Sequence, residues 1–174
     1  MRTKRSRGRA NALLVELAAE FGEFRVSEKT WENTQGNYDR IADQFESNHH
    51  GGAGVWVRDA ADRVLLVRQE GSEAWSEPGG AREPGESFSS TAVREVSEET
   101  GLDVELTGVL EVAVVTHDAW DRAPLVVPEV LFTGEPVDGE LSPQDGEIAA
   151  AEWWTEPPDV VAYEDIYEYP FPDG

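Results

Sequence analysis

Gly80-Ala81-Arg82-Glu83-Pro84-Gly85-Glu86, followed after seven residues by Arg94-Glu95-Val96-Ser97-Glu98-Glu99-Thr100-Gly101-Leu102, sets a Gly- and Pro-rich loop against a helix. Ser87 suits the N-cap of that helix and Gly101 its left-handed end, which predicts a helix over about 87–100. At about 100° per residue, Glu95, Glu98 and Glu99 share an arc of about 100°, with Phe88, Ala92, Val93 and Val96 on the adjoining arc. One side therefore packs on a sheet while three carboxylates crowd beside it. Like charges at this spacing destabilise a helix unless something positive sits among them. A hard divalent cation relieves the repulsion, and Mg2+ or Mn2+ prefers carboxylate, carbonyl and water oxygens. Backbone carbonyls of the loop can turn toward the same ions, and Arg94 can pair with Glu86 to lock loop to helix. Such a site suits phosphoanhydride hydrolysis, because metal ions neutralise phosphate charge and generate hydroxide. In a chain rich in glutamate the bland alternative is a solvated helix face.

Working outward, Ala53–Arg58 and Arg63–Gln69 are apolar, β-branched runs around Asp59-Ala60-Ala61-Asp62, the pattern of a hairpin. Residues 70–86 read as loop. Strand-like runs follow at 103–106, 109–116 and 125–132, where Pro128 suggests an edge or a bulge. Residues 147–154 suit a strand or a short helix, and 160–167 a short terminal helix. Upstream, Leu13, Leu14, Leu17, Ala18 and Phe21 recur at helical spacing up to Gly22. A second helix is expected after a cap at Ser27, carrying Trp31, Tyr38, Ile41, Ala42 and Phe45. The expected organisation is a helical extension over 1–46, a solvated hinge at His49-His50-Gly51-Gly52, a main domain over 51–156 and a tail or short helix over 157–174.

The charge balance is 14 basic against 36 acidic side chains, a net −22 over 174 residues, with a sequence pI near 4.3. Arg2, Lys4, Arg5, Arg7 and Arg9 all fall in the first nine positions, which leaves residues 10–174 at −27, five more negative than the whole. That excess argues against duplex nucleic acid and anionic membranes as partners. Self-repulsion of this size is screened in molar salt, where the Debye length is about 3 Å, so a cytoplasmic protein of a halophile is expected. Cysteine is absent, which excludes disulfides, thiolate metal sites and a cysteine nucleophile. No run is long and apolar enough for a membrane span.

The spacing resembles the Nudix box, G-x5-E-x7-R-E-U-x-E-E-x-G-U with U aliphatic, at Gly80, Glu86, Arg94, Glu95, Val96, Glu98, Glu99, Gly101 and Leu102. The likeness extends over about residues 51–156. It implies an α/β/α sandwich with a mixed β-sheet, here with an N-terminal helical extension. It also implies metal-dependent hydrolysis of a nucleoside diphosphate derivative, such as an ADP-sugar or a nucleoside triphosphate, with Mg2+ or Mn2+. By the same resemblance Glu95, Glu98 and Glu99 are metal ligands with the Gly79 carbonyl, Gly80, Glu86, Arg94 and Gly101 organise the box, and Glu98, Glu99 or the downstream Glu147 serves catalysis. Branch marks for ADP-ribose and for diadenosine polyphosphates are absent, since Thr116-His117 and Asp118-Ala119-Trp120 occupy those places. Arg68 is a candidate for substrate phosphates and Trp120 for stacking on a base. Two other classes of reading stand beside the hydrolase: a nucleotide-sensing regulator on the same fold, and a dimerisation or partner-docking role for residues 1–46, with a homodimer as one form.

Overall fold

The computed structural model describes residues 1–172. Helix α1 (Arg2–Phe21) leads to strand β1 (Arg25–Glu32) and helix α2 (Gln35–Glu46). Strands β2 (Gly52–Val57), β3 (Val64–Gln69), β4 (Trp75–Ser76) and β5 (Gly79–Ala81) precede helix α3 (Phe88–Thr100). Two long strands, β6 (Leu102–Asp118) and β7 (Leu125–Gly139), then β8 (Ile148–Trp154) and a single 3-10 turn at Glu164–Glu168 complete the order. Five strands form a mixed sheet in the order β1-β6-β7-β2-β5, and three form an antiparallel sheet in the order β4-β3-β8. The expected α/β class with a mixed sheet and an N-terminal helix is what the chain adopts.

Residues 1–46 are not wholly helical. Ser27 lies inside β1, and Thr34 caps α2 by accepting from the Asn37 N–H. Val26, Thr30 and Trp31 suit a pleated strand, but β1 forms because it runs parallel to β6, from Arg25 opposite Glu111 to Glu32 opposite Asp118. Such a partner 86 residues away leaves no mark on local periodicity. The basic tip is ordered too: Thr3 Oγ1 donates to the Pro124 carbonyl at 2.6 Å, and Ser6 Oγ accepts from the Val126 N–H at 3.0 Å. Ala10 and Leu17 of α1 enter the main core with Val96 of α3 and Val112, Val114 and Phe132 of the sheet.

The expected hairpin divides between the sheets. Around the turn Arg58 bridges to Val64 and the Asp59 N–H donates to the Arg63 carbonyl at 3.0 Å, after which β2 joins β7 and β3 joins β8. Pro128 lies in an interior strand, one residue before the β2 ladder begins at Glu129, so β7 has a strand partner on one side only at that position. The hinge is packed instead of solvated: His50 is 4% exposed, edge-to-face on Phe45 at 5.0 Å. The C-terminal segment is a strap, with Ile166 and Tyr169 buried against Trp56, Leu66 and Leu131. Among the described residues no helix is long and apolar enough to cross a membrane.

Candidate active site

Helix α3 is fixed at both ends by its own sequence. Ser87 accepts from the Ser90 N–H and Ser90 returns the bond to the Ser87 N–H, a capping box; Gly101 ends the helix at φ 76°, donating to the Ser97 carbonyl. A side chain at Gly101 would also stand 2.7 Å from the Glu140 carbonyl oxygen. Phe88, Ala92 and Val96 bury one side of α3, which turns the acidic side toward β5.

Arg94 organises that side. Its Nε donates to Glu86 Oε1 at 2.5 Å and its Nη2 to Glu86 Oε2 at 3.0 Å and to the Ala81 carbonyl at 3.1 Å. Nη1 reaches Glu95 at 2.8 Å and Glu98 at 3.1 Å. Glu86 is further held by Thr91 Oγ1 at 2.7 Å and the Glu83 N–H at 3.0 Å. These donors, Arg94 first, hold the Glu86 carboxyl down at about 2. The expected pairing of Arg94 with Glu86 is thus present, and the same guanidinium also spans two of the three helix carboxylates.

Glu99 is 3% exposed and accepts from the Gly79 N–H at 3.1 Å, so it is the amide of Gly79 that reaches it. Burial pushes its carboxyl up to about 8, and the charges of Glu95, Glu147 and Glu77 add to the shift. Burial raises Glu95 as well, against the pull of Arg94, with Glu98 and Glu147 adding to it. Glu147, exposed on the loop before β8, therefore lies within electrostatic reach of both. Gly80 is required by close approach: a Cβ there would stand 2.5 Å from the Glu95 carboxylate. Among the described residues no three His, Cys, Asp or Glu side chains already stand in a ligating arrangement. The donor set nevertheless fits a hard divalent cation, being oxygen throughout, crowded and short of positive charge.

Arg68 and Trp120 are not brought to this cluster. Arg68 donates to the Ser72 carbonyl at 3.0 Å and covers the Trp75 ring at 5.6 Å. Trp120 is 88% exposed in the turn after β6. Arg82, in the loop before α3, is committed to the backbone, donating to the His50 and Glu86 carbonyls.

Beside β5 opens a cavity of about 720 Å³ on the sheet face away from α1 and α3. Its walls include Glu77, Glu111, Glu129, Lys29 and His117, none assigned a substrate contact from sequence. Glu77 accepts from the Tyr163 hydroxyl at 2.5 Å, and burial lifts it to about 7. Burial lifts Glu129 to about 7 also, against the Gly52 N–H that it accepts from. The available signal was a lone acid inside an apolar strand, Glu111 within 109–116 and Glu129 within 125–132.

A sequence profile of the NUDIX domain matches residues 48–171. The chain belongs to the NUDIX family. This NUDIX domain begins before β2 and runs through the C-terminal strap, and residues 1–47 lie outside the match. The putative 8-oxo-dGTP diphosphatase of Bacillus subtilis (strain 168) is 32% identical over 102 residues, which cover 59% of this chain and 64% of that protein. The NAD-capped RNA hydrolase NudC of Mycobacterium tuberculosis is 38% identical over 104 residues, covering 57% of this chain and 30% of that protein. The match thus spans less than two thirds of either relative's length. A crystal structure of a NUDIX hydrolase from Nitrosomonas europaea superposes with a TM-score of 0.52 at 20% identity, over 68% of this chain and 65% of that one, a likeness of fold.

Proposed function

We propose that this NUDIX protein is a hydrolase that cleaves a phosphoanhydride bond in a nucleoside diphosphate derivative, with Mg2+ or Mn2+ held by Glu95, Glu98 and Glu99 and the Gly79 carbonyl. The observation that carries this reading is the crowded carboxylate set on α3, with Glu99 buried, Glu95 half-buried and Glu98 at the surface, in which Arg94 pairs with Glu95 and Glu98 and no cation pairs with Glu99 among the described residues. A divalent cation there would supply Lewis acidity at phosphate oxygens and a low-pKa water. The protein's own part is positional. Arg94 and Glu86 clamp the loop to α3, so that Gly79 and the glutamates keep one geometry. Gly79 donates to Glu99 and fixes which oxygen remains free. Glu98 or Glu147, both exposed, accepts the proton of the attacking water. The relatives named a putative 8-oxo-dGTP diphosphatase and an NAD-capped RNA hydrolase, which align with 59% and 57% of this chain, support the substrate class and leave the individual substrate to the test.

The test is a phosphate-release screen in molar KCl with Mg2+ or Mn2+, across nucleoside triphosphates, ADP-ribose, other ADP-sugars and dinucleoside polyphosphates. Wild type is expected to turn over one class, and Glu99→Gln to lose about a thousandfold or more in kcat with the fold intact. Near-normal turnover by Glu99→Gln overturns the assignment, as does a folded wild type silent across the panel.

A further inference from the structure

On the other side of the sheet a separate cavity of about 410 Å³ lies between α1 and the start of α3. Arg9, Ala12, Leu13, Glu16, Leu17 and Glu20 recur at three and four residues, so one face of α1 forms its wall. Two cations meet at one end. Arg9 lies 4.4 Å from the centre of the Phe45 ring, and His50 meets the same ring edge-to-face at 5.0 Å. Arg82 Nη1 donates to the His50 carbonyl at 3.1 Å, and its guanidinium lies 4.4 Å from the centre of the Phe88 ring at the start of α3. Burial first, then the charges of Arg82 and Arg9, hold His50 at about 4, so both cations act on the same imidazole. Neither arginine has a carboxylate partner among the described residues, in a chain with 36 acidic side chains. Arg9 Nη1 ends on the Phe45 carbonyl, and Arg82 Nη2 on the Glu86 carbonyl. His50 is 4% exposed and lines the cavity, and its Nδ1 is buried without a hydrogen-bond partner. Arg82 Nε is likewise a buried N–H with no acceptor. Buried polar groups left unmet are costly, and an acceptor of negative charge relieves both the orphaned donor and the crowded cations.

We propose that this end of the cavity binds a phosphate-type oxyanion, free or carried as a monoester on a small organic body, between Arg9, Arg82, His50 and the first turn of α3. A guanidinium carries five N–H donors, so both arginines keep donors beyond those spent on carbonyls. Neutral His50 adds one ring N–H. At Ser87 and Ser89 the cavity meets the first turn of α3, where the helix presents unpaired amides and the positive end of its dipole. The carboxylates of the same wall, Glu16 and Glu20, stand seven and eleven residues beyond Arg9, about 10 and 16 Å along the helix axis. The anion therefore seats at the Arg9 end, and the body of an ester lies over Ala12, Leu13 and Leu17. This site is apart from the catalytic cluster, since Glu99 is ten residues along α3 from Ser89, about 15 Å. It joins α1, which precedes the NUDIX match, to the loop whose Glu86 clamps Arg94.

The test uses neither metal nor turnover, so it stands whatever the Glu99→Gln screen returns. The full chain, labelled with nitrogen-15, is titrated in EDTA with inorganic phosphate and, separately, with phenyl phosphate. Each replaces chloride at constant ionic strength, which separates binding from screening. The imidazole resonances of His50 and of His117, which lines the other cavity, are followed by NMR. The His50 ring is expected to shift saturably while His117 stays in place, and Arg9→Gln should raise the half-saturating concentration about tenfold or more. Tighter binding of phenyl phosphate identifies a monoester as the ligand, and equal or tighter binding of inorganic phosphate identifies the free anion; either supports the site. A His50 ring that does not respond to either anion, an equal response of His117, or wild-type affinity in Arg9→Gln overturns it. If Arg9→Gln fails to fold, Arg82→Gln replaces it under the same expectation, and the comparison of His50 with His117 in the wild type decides in any case.

Discussion

The two faces of the five-stranded sheet are made by the same strands and could hardly differ more. Toward α1 and α3, β6 and β7 direct Val112, Val114, Val126, Val130 and Phe132 into a dry apolar layer. Toward the strap and α2, the alternate residues are Glu111, Ala113, His117, Val127 and Glu129, and they line a cavity. The dry face spends its burial on stability, about 25 cal/mol per Å² of apolar surface removed from water. The other buries carboxylates, which costs stability unless a ligand offsets it. Alternation in a strand thus lets fold and site share one backbone without sharing side chains.

That contrast is tested most severely by truncation on the dry face. Phe132→Ala should destabilise the chain by about 3–5 kcal/mol at every pH, read from urea unfolding, because Phe132 is fully buried and contacts Phe21 edge-to-face at 5.6 Å. A cost below about 1 kcal/mol would mean that the layer is not the core it looks to be. On the cavity face the expectation reverses. Burial holds the Glu129 carboxyl at about 7, against 4.5 for an ordinary glutamate in water. Between those values the folded protein keeps a proton that the unfolded chain has lost, so this contribution to stability falls as pH rises through the window. Glu129→Gln should therefore gain about 2 kcal/mol at pH 9 and almost nothing at pH 4. His50, at the junction of the α1 side with β2, works with the opposite sign. Burial and the nearby Arg82 and Arg9 hold it at about 4 instead of 6.5, so its contribution is present above 6.5 and is lost as pH falls through 4. His50→Gln should flatten the acid limb by about 1 kcal/mol, where Glu129→Gln steepens it. If both variants tilt the profile the same way, the two environments are not the opposites described here.

How much of this was legible in the sequence depended on how local the cause was. The α3 box could be read in full because its determinants, the Ser87 cap, the Gly101 terminus and the three-and-four spacing of the glutamates, lie within one stretch. Strand β1 was hidden because its hydrogen bonds go to β6, and Trp31 and Tyr38 fall at spacings that a helix also explains. The hinge histidines looked solvated, since nothing in His49-His50-Gly51-Gly52 announces that Phe45 will cover His50. Arg68 and Trp120 were plausible by residue type alone, and only the folded chain puts one on Trp75 and the other in solvent. Glu111 and Glu129 were visible as acids inside apolar runs. Their shared cavity was not, because it takes shape only when β1, β6, β7 and the strap meet.

The smallest effect concerns the outer surface, which belongs to neither face. Arg2 and Arg5 both reach Glu46 at 3.2 Å, tying α1 to α2 across an exposed junction. Such pairs are screened, and their strength is set by the solvent as much as by the geometry. With a net charge of −22 the surrounding surface repels itself, so wild-type Tm should climb as KCl is raised from 0.1 M to 2 M, the behaviour expected of a protein adapted to salt. Glu46→Gln removes one partner of two cations and one unit of that repulsion together. Its Tm should sit slightly below wild type in dilute buffer and coincide with it at 2 M KCl, as measured by scanning fluorimetry. A deficit that persists at 2 M KCl would mean that the junction is held by packing or by a desolvated ion pair, and that the chain's outer surface contributes to the fold as the dry face does. A wild-type Tm indifferent to salt would remove the halophilic expectation and leave the acid excess as a property of solubility alone.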